Sequence, residues 1–188
     1  MGRWEPNTRE RLARAALELF GERGYEQTTV AEIARRAGLT ERTYFRHYAD
    51  KREVLFGGAE VLREVFAKAV AEAPPPAAPI DVVAAGLEAI AVVFPARERA
   101  RQRQSVVGSH PELLERELIK LAALSTAVAE ALRARGVPDP AAALTAEAGI
   151  AVFKVGYERW IAPAEHRELA ELLHESLTEL KAVTAGSR

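Results

Sequence analysis

Residues 39–51, Leu-Thr-Glu-Arg-Thr-Tyr-Phe-Arg-His-Tyr-Ala-Asp-Lys, place two arginines, a histidine, a lysine and three aromatic rings within thirteen positions. Side chains of this kind can read DNA. Arginine holds the O6 and N7 of guanine with two parallel bonds, glutamate accepts from N4 of cytosine, and a threonine methyl can touch the methyl of thymine. On a 3.6-residue period Tyr44 and Tyr48 share a side with Leu39, leaving Glu41, Arg42 and Arg46 pointing away. A helix that meets base edges in the major groove needs that division, donor-rich outside and apolar inside. Glu41, Arg42, Thr43 and Arg46 are therefore the expected base contacts. His47 and Lys51 follow where side chains reach phosphates, and Lys51 would lie in the first turn of a helix whose free amides attract an anion.

The elements that must position these residues are marked by caps and turns. A first helix is expected from near Thr8, capped by Asn7, with Leu12, Ala15, Ala16, Leu19 and Phe20 on its apolar stripe and Gly24 at its end. A second begins at Thr29, where Thr-x-x-Glu with Glu32 forms a capping box, and turns Val30, Ile33 and Ala34 inward. Gly38 supplies a left-handed turn, Leu39 fills the gap between helices, and Thr40 caps a brief third helix to about His47. Two short helices joined in this way form a helix-turn-helix. Asp50 is then expected to cap a long fourth helix carrying Val54, Leu55, Ala59, Leu62, Val65, Phe66 and Ala69.

The chain of 188 residues contains no cysteine, which removes disulfides, zinc-finger spacing and thiol nucleophiles. Its charged start does not resemble a secretory signal, and no run reaches the roughly 18 apolar residues of a membrane span. A cytoplasmic protein with no membrane partner is expected. The net charge of -1 conceals an asymmetry: residues 1–52 carry 11 Lys and Arg against 8 Asp and Glu, and the remainder 15 against 19. The small end is the basic end, as a nucleic-acid partner requires.

Residues 28–56, TTVAEIARRAGLTERTYFRHYADKREVLF, resemble the DNA-binding signature of the TetR family of bacterial transcriptional regulators. The resemblance covers roughly residues 8–60. It implies an all-α protein: a three-helix helix-turn-helix domain, residues 1–50, joined by a long helix to a C-terminal bundle, residues 51–188, that dimerises and binds ligand. It also implies double-stranded operator DNA, a second copy of the chain and a small-molecule inducer as partners, with no cofactor. By motif position the base contacts again fall on Glu41, Arg42, Thr43 and Arg46, and phosphate contacts on Thr29, His47 and Lys51. Where many members place a tyrosine that meets the backbone this chain has Phe45, so Tyr44 is a further candidate for that phosphate contact. Arg3 is a candidate minor-groove arm.

The proline run at residues 73–79 reads as a stiff loop, followed by helices at about 80–94, 96–108, 111–135, 140–161 and 164–183. A dimer seam is expected from the small-residue stripe with Gly149, Val152 and Gly156 and the leucine stripe with Leu169, Leu173 and Leu177; the alternative is that both stripes face the core of their own subunit. Phe94, Gln102, Val106, Phe153, Tyr157 and Trp160 are the expected pocket residues. Arg97, Arg99, Arg101 and Arg103 are spread over both sides of a helix and read as a solvated face. The chain has no nucleophile elbow, phosphate loop or dinucleotide fingerprint, and Glu171-x-x-His174 lacks the second copy that a di-iron bundle site uses. The expected function is a DNA-binding regulator, a repressor released by its inducer; the alternative is a helical small-molecule binder or enzyme that retains a helix-turn-helix.

Overall fold

The computed structural model describes residues 8–94 and 96–185; Arg3 and Asn7 lie outside them. Among the described residues the regular structure is entirely helical: α1 (Thr8–Arg23), α2 (Val30–Arg36), α3 (Glu41–His47), a short 3-10 turn (Arg52–Leu55), α4 (Ala59–Glu72), α5 (Pro79–Val93), α6 (Arg97–Gly108), α7 (Pro111–Ala134), α8 (Ala141–Trp160) and α9 (Leu169–Thr184). No single helix among these residues is long and apolar enough to cross a membrane. The chain divides into two compact units.

The first unit comprises described residues 8–58 together with 99–117. Its core is built from Leu12, Ala16, Leu19 and Phe20 of α1, Ile33 and Ala34 of α2, Tyr44 of α3, and Val54, Leu55 and Phe56 of the turn that follows, joined by Val107 and Leu113. The stripe expected on the first helix is thus the buried one. The second unit comprises described residues from 59 to 98 and from 118 to 185; in it α5 packs against α4, α8 and α9.

Two expected elements differ. The single helix expected from Asp50 through Ala69 is broken into the 3-10 turn and α4. Gly57 and Gly58 stand at the break, weak helix formers in tandem, and the Tyr48 ring lies where a side chain at Gly57 would go, 2.8 Å from a Cβ there. The last helix starts at Leu169 rather than at 164. Glu165 folds back to accept from the backbone N–H groups of His166 and Arg167, both at 2.9 Å, and the Arg97 guanidinium donates to the carbonyls of Glu165 and Arg167. Those bonds hold this segment as a loop.

Candidate nucleic-acid interface

The helix-turn-helix is assembled by local bonds. The Thr29 hydroxyl accepts from Glu32 N–H at 3.3 Å while the Glu32 carboxylate accepts from Thr29 N–H at 2.9 Å, closing the expected capping box. These bonds to Thr29 hold the Glu32 carboxyl below its ordinary pKa. Gly38 takes φ +67°, and Leu39 N–H reaches back to the Ala34 carbonyl at 2.8 Å. The Arg11 guanidinium donates to the Ala37 carbonyl at 2.6 Å and leaves only 3.2 Å to a Cβ at Gly38, so the turn is strapped from α1 as well as shaped by its own glycine. Thr40 caps α3 by accepting from Thr43 N–H at 3.2 Å.

Beneath α3 the rings are fixed. Tyr44 is fully buried and its hydroxyl donates to the carbonyls of Asp50 at 3.1 Å and Lys51 at 3.3 Å. Burial raises its phenolic pKa. The expected phosphate contact from Tyr44 is therefore corrected: the hydroxyl bonds inward, because the ring is the core-facing side of a seven-residue helix. Tyr48, also buried, donates to the Arg9 carbonyl at 3.3 Å. Thr28, which the sequence reading did not single out, is a buried hydroxyl that donates to the Gly24 carbonyl at 2.9 Å and ties the end of α1 to the start of α2.

On the opposite side of α3, Glu41, Arg42, Phe45 and Arg46 are exposed, with Thr43 half-buried. Neither Arg42 nor Arg46 has a hydrogen-bond or ion-pair partner among the described residues. Four other arginines of this unit are engaged, Arg23 with Glu32 at 2.8 Å, Arg36 with Glu22 at 2.7 Å, Arg52 with Asp50 at 2.7 Å and Arg116 with Glu53 at 2.7 Å, while Arg35 at the end of α2 is exposed without such a partner among the described residues. The α3 guanidiniums thus keep their five donors for another molecule.

Thr29 is exposed, its hydroxyl shared with Glu32. His47 is half-buried and its Nε2 is enclosed without a partner; that burial, with Arg46 and Arg9 nearby, lowers its pKa and favours the neutral ring. Lys51 donates to the Tyr25 carbonyl at 2.8 Å and lies 4.0 Å from the Tyr25 ring centroid. The free amides expected beside Lys51 are not free. The Asp50 carboxylate accepts from Arg52 N–H at 2.8 Å and Glu53 N–H at 3.1 Å, and its bonds to the Arg52 side chain and to these amides lower its pKa.

The second unit corrects other expectations. Gly149, Val152, Gly156, Leu169, Leu173 and Leu177 are all buried within one copy of the chain. A Cβ at Gly149 would sit 2.6 Å from Val83, and one at Gly156 2.7 Å from Leu173. The small and leucine stripes therefore lock α8 to α5 and α9 and do not form a seam between copies. Of the expected pocket residues, Phe94 and Trp160 line a pocket of about 410 Å³ with Arg97, His166, Glu168 and Leu169. Phe153 and Tyr157 support it through ring contacts with Phe94 at 5.8 and 5.5 Å, whereas Gln102 and Val106 belong to the first unit. The Trp160 indole N–H is buried without a partner. Nor are the α6 arginines a solvated face. Arg97 lies over Trp160, Arg99 pairs with Glu10 at 3.3 Å, and Arg103 bonds the Leu55 carbonyl and Glu117, both at 2.8 Å.

A capped helix-turn-helix with unpaired arginines on its second helix defines a DNA-binding module. The family described as bacterial regulatory proteins of the tetR family matches residues 12–56, and the MftR C-terminal domain family matches residues 76–185. The chain belongs to the TetR family, with a C-terminal domain of the MftR type, and is a DNA-binding transcriptional regulator in a family of non-enzymes. It is 39% identical over 83 residues to the HTH-type transcriptional regulator TcmR of Streptomyces glaucescens, covering 44% of this chain and 37% of TcmR. It is 39% identical over 57 residues to the transcriptional regulator MftR of Mycobacterium tuberculosis, covering 30% of this chain and 29% of that one. The matched stretches thus span only about a third of the length of these relatives. Among solved structures, the fold is shared with SmeT, the repressor of the Stenotrophomonas maltophilia multidrug efflux pump SmeDEF (TM-score 0.58, 21% identity, 94% of this chain and 89% of that one). It is also shared with the fatty acid degradation regulator FadR of Bacillus halodurans (TM-score 0.60, 16% identity, 95% and 96%).

Proposed function

We propose that the chain acts as a homodimeric repressor that leaves its operator when a small molecule binds the C-terminal unit. In this reading α3 enters the major groove, with Glu41, Arg42, Thr43 and Arg46 at base edges and Thr29, His47 and Lys51 at phosphates. The observation that carries it is the pair of exposed, partnerless guanidiniums of Arg42 and Arg46 on a helix capped and backed by fixed rings. An arginine kept out of the ion pairs that occupy its neighbours is available for a bidentate grip on guanine.

The seam between copies moves to the outer side of α8. Leu144 is 67% exposed and Val155 47%, and Ala148 and Ala151 lie between them at helical spacing, a stripe on which a second α8 can pack closely. The effector reading draws on the pocket beside Phe94 and Trp160, where two rings and the polar side chains of Arg97, His166 and Glu168 converge on a space of small-molecule size. SmeT, which shares the fold, is also solved as a triclosan complex (TM-score 0.63, 21% identity, 95% of this chain and 91% of that one).

Selection of duplexes from a random library by the purified protein tests the proposal. The expected product is a two-fold symmetric sequence with half-sites centred about one helical turn apart or a small multiple of it, bound more weakly as salt rises. Recovery of sequences without symmetry, or of none above background, would contradict it.

A further inference from the structure

We infer that Phe45 reads sequence, seating its ring on the C5 methyl of a thymine in the major groove; this rests on the regulator reading above. Among the described residues Phe45 is the only exposed phenylalanine, tyrosine or tryptophan, at 53%, while Phe20, Tyr25, Tyr44, Tyr48 and Phe56 of the same unit are buried. It falls three residues after Arg42, which makes the ring a neighbour of that partnerless guanidinium on the exposed part of α3, where Arg46 is exposed as well. The ring is held in place. It meets Tyr44 edge-on with centroids 5.6 Å apart, and Tyr44 is itself pinned by its bonds to the Asp50 and Lys51 carbonyls.

A phenyl ring has no donor for a phosphate oxygen and no acceptor for an exocyclic amine. The apolar group that the floor of the major groove offers is the thymine methyl, and covering it removes apolar surface of both partners from water. Beyond its edge contact with Tyr44, about half of the ring is left outside the packing of the chain, whose core is closed by Tyr44 and Tyr48.

The test uses the full-length protein and the duplex it selects. Each thymine of the half-site is replaced in turn by deoxyuridine, which deletes the methyl and leaves base pairing unchanged. Wild type is expected to weaken about fourfold per recognition helix at one position, the value of one methyl-sized group withdrawn from water. Phe45→Ala is expected to bind thymine and uracil duplexes equally there, and Phe45→Leu to keep part of the discrimination; an unchanged melting temperature establishes that both variants are folded. If wild type binds its selected duplex specifically but is indifferent to uracil everywhere, or if Phe45→Ala discriminates as well as wild type, the inference is overturned and the regulator reading survives. If wild type selects no duplex, both fall together.

Discussion

The outer side of α3 and the stripes of α8 and α9 look alike in the sequence, each a periodic set suited to a partner, yet they have opposite fates. On α3 the arginines face out and are left unpaired beside Phe45. On α8 and α9 the glycines and leucines close on each other and on α5. A surface kept for another molecule is marked by unused bonding capacity, whereas a stripe of small residues at close approach is already used.

The largest expected effect separates the two regions. Arg42→Ala and Arg46→Ala should each cost about 1–3 kcal/mol of binding to the selected operator, selectively for the base each reads, with unfolding unchanged. Fluorescence anisotropy on single-base operator variants measures this; equal losses on every sequence would assign the arginines to the backbone. Next, Gly156→Val forces a branched side chain into the 2.7 Å approach of Leu173. It should lower stability by about 1–3 kcal/mol at any protein concentration, read from the denaturant midpoint. A loss that vanished on dilution would return Gly156 to a seam between copies.

Val155→Glu should do the reverse, shifting sedimentation toward the monomer while altering monomer stability by no more than about 0.5 kcal/mol. A dimer as tight as wild type would remove α8's outer stripe from the seam. Thr29→Ala opens the capping box of α2 and should cost about 1 kcal/mol in a melt.

The smallest effect concerns His47. Its folded pKa is lowered, so the unfolded chain binds the proton first, and this residue's contribution to stability falls as pH drops below the ordinary histidine value of about 6.5. A phosphate beside the ring would raise that pKa again, so the complex would take up a proton. Operator affinity should then rise as pH falls below about 6.5, by no more than about tenfold for a one-unit difference, and His47→Gln should flatten the profile. A wild-type profile already flat would remove His47 from the phosphate contacts.

The helix-turn-helix could be read from residues because its determinants are local. Thr29 with Glu32, Gly38 and Thr40 lie within a few positions of the bonds they make. Tyr44 was ambiguous because its hydroxyl partners, the Asp50 and Lys51 carbonyls, are fixed only once the Asp50 side chain folds the following residues into a 3-10 turn. Farther along, periodicity showed which residues share a side but not which neighbour that side meets. The inward fate of Gly149 and Gly156 depends on Val83 and Leu173, and Arg103 is held by Leu55, 48 residues earlier. Helix ends set by long-range bonds, such as the loop that Arg97 ties before α9, were out of reach for the same reason.

The most direct measurement is the ratio of specific to non-specific DNA affinity for the Arg42→Ala, Arg46→Ala double variant at fixed salt. The account predicts that the ratio collapses toward one while non-specific binding, carried by other cationic groups, changes little. A ratio equal to that of wild type would place sequence reading elsewhere than on the outer side of α3.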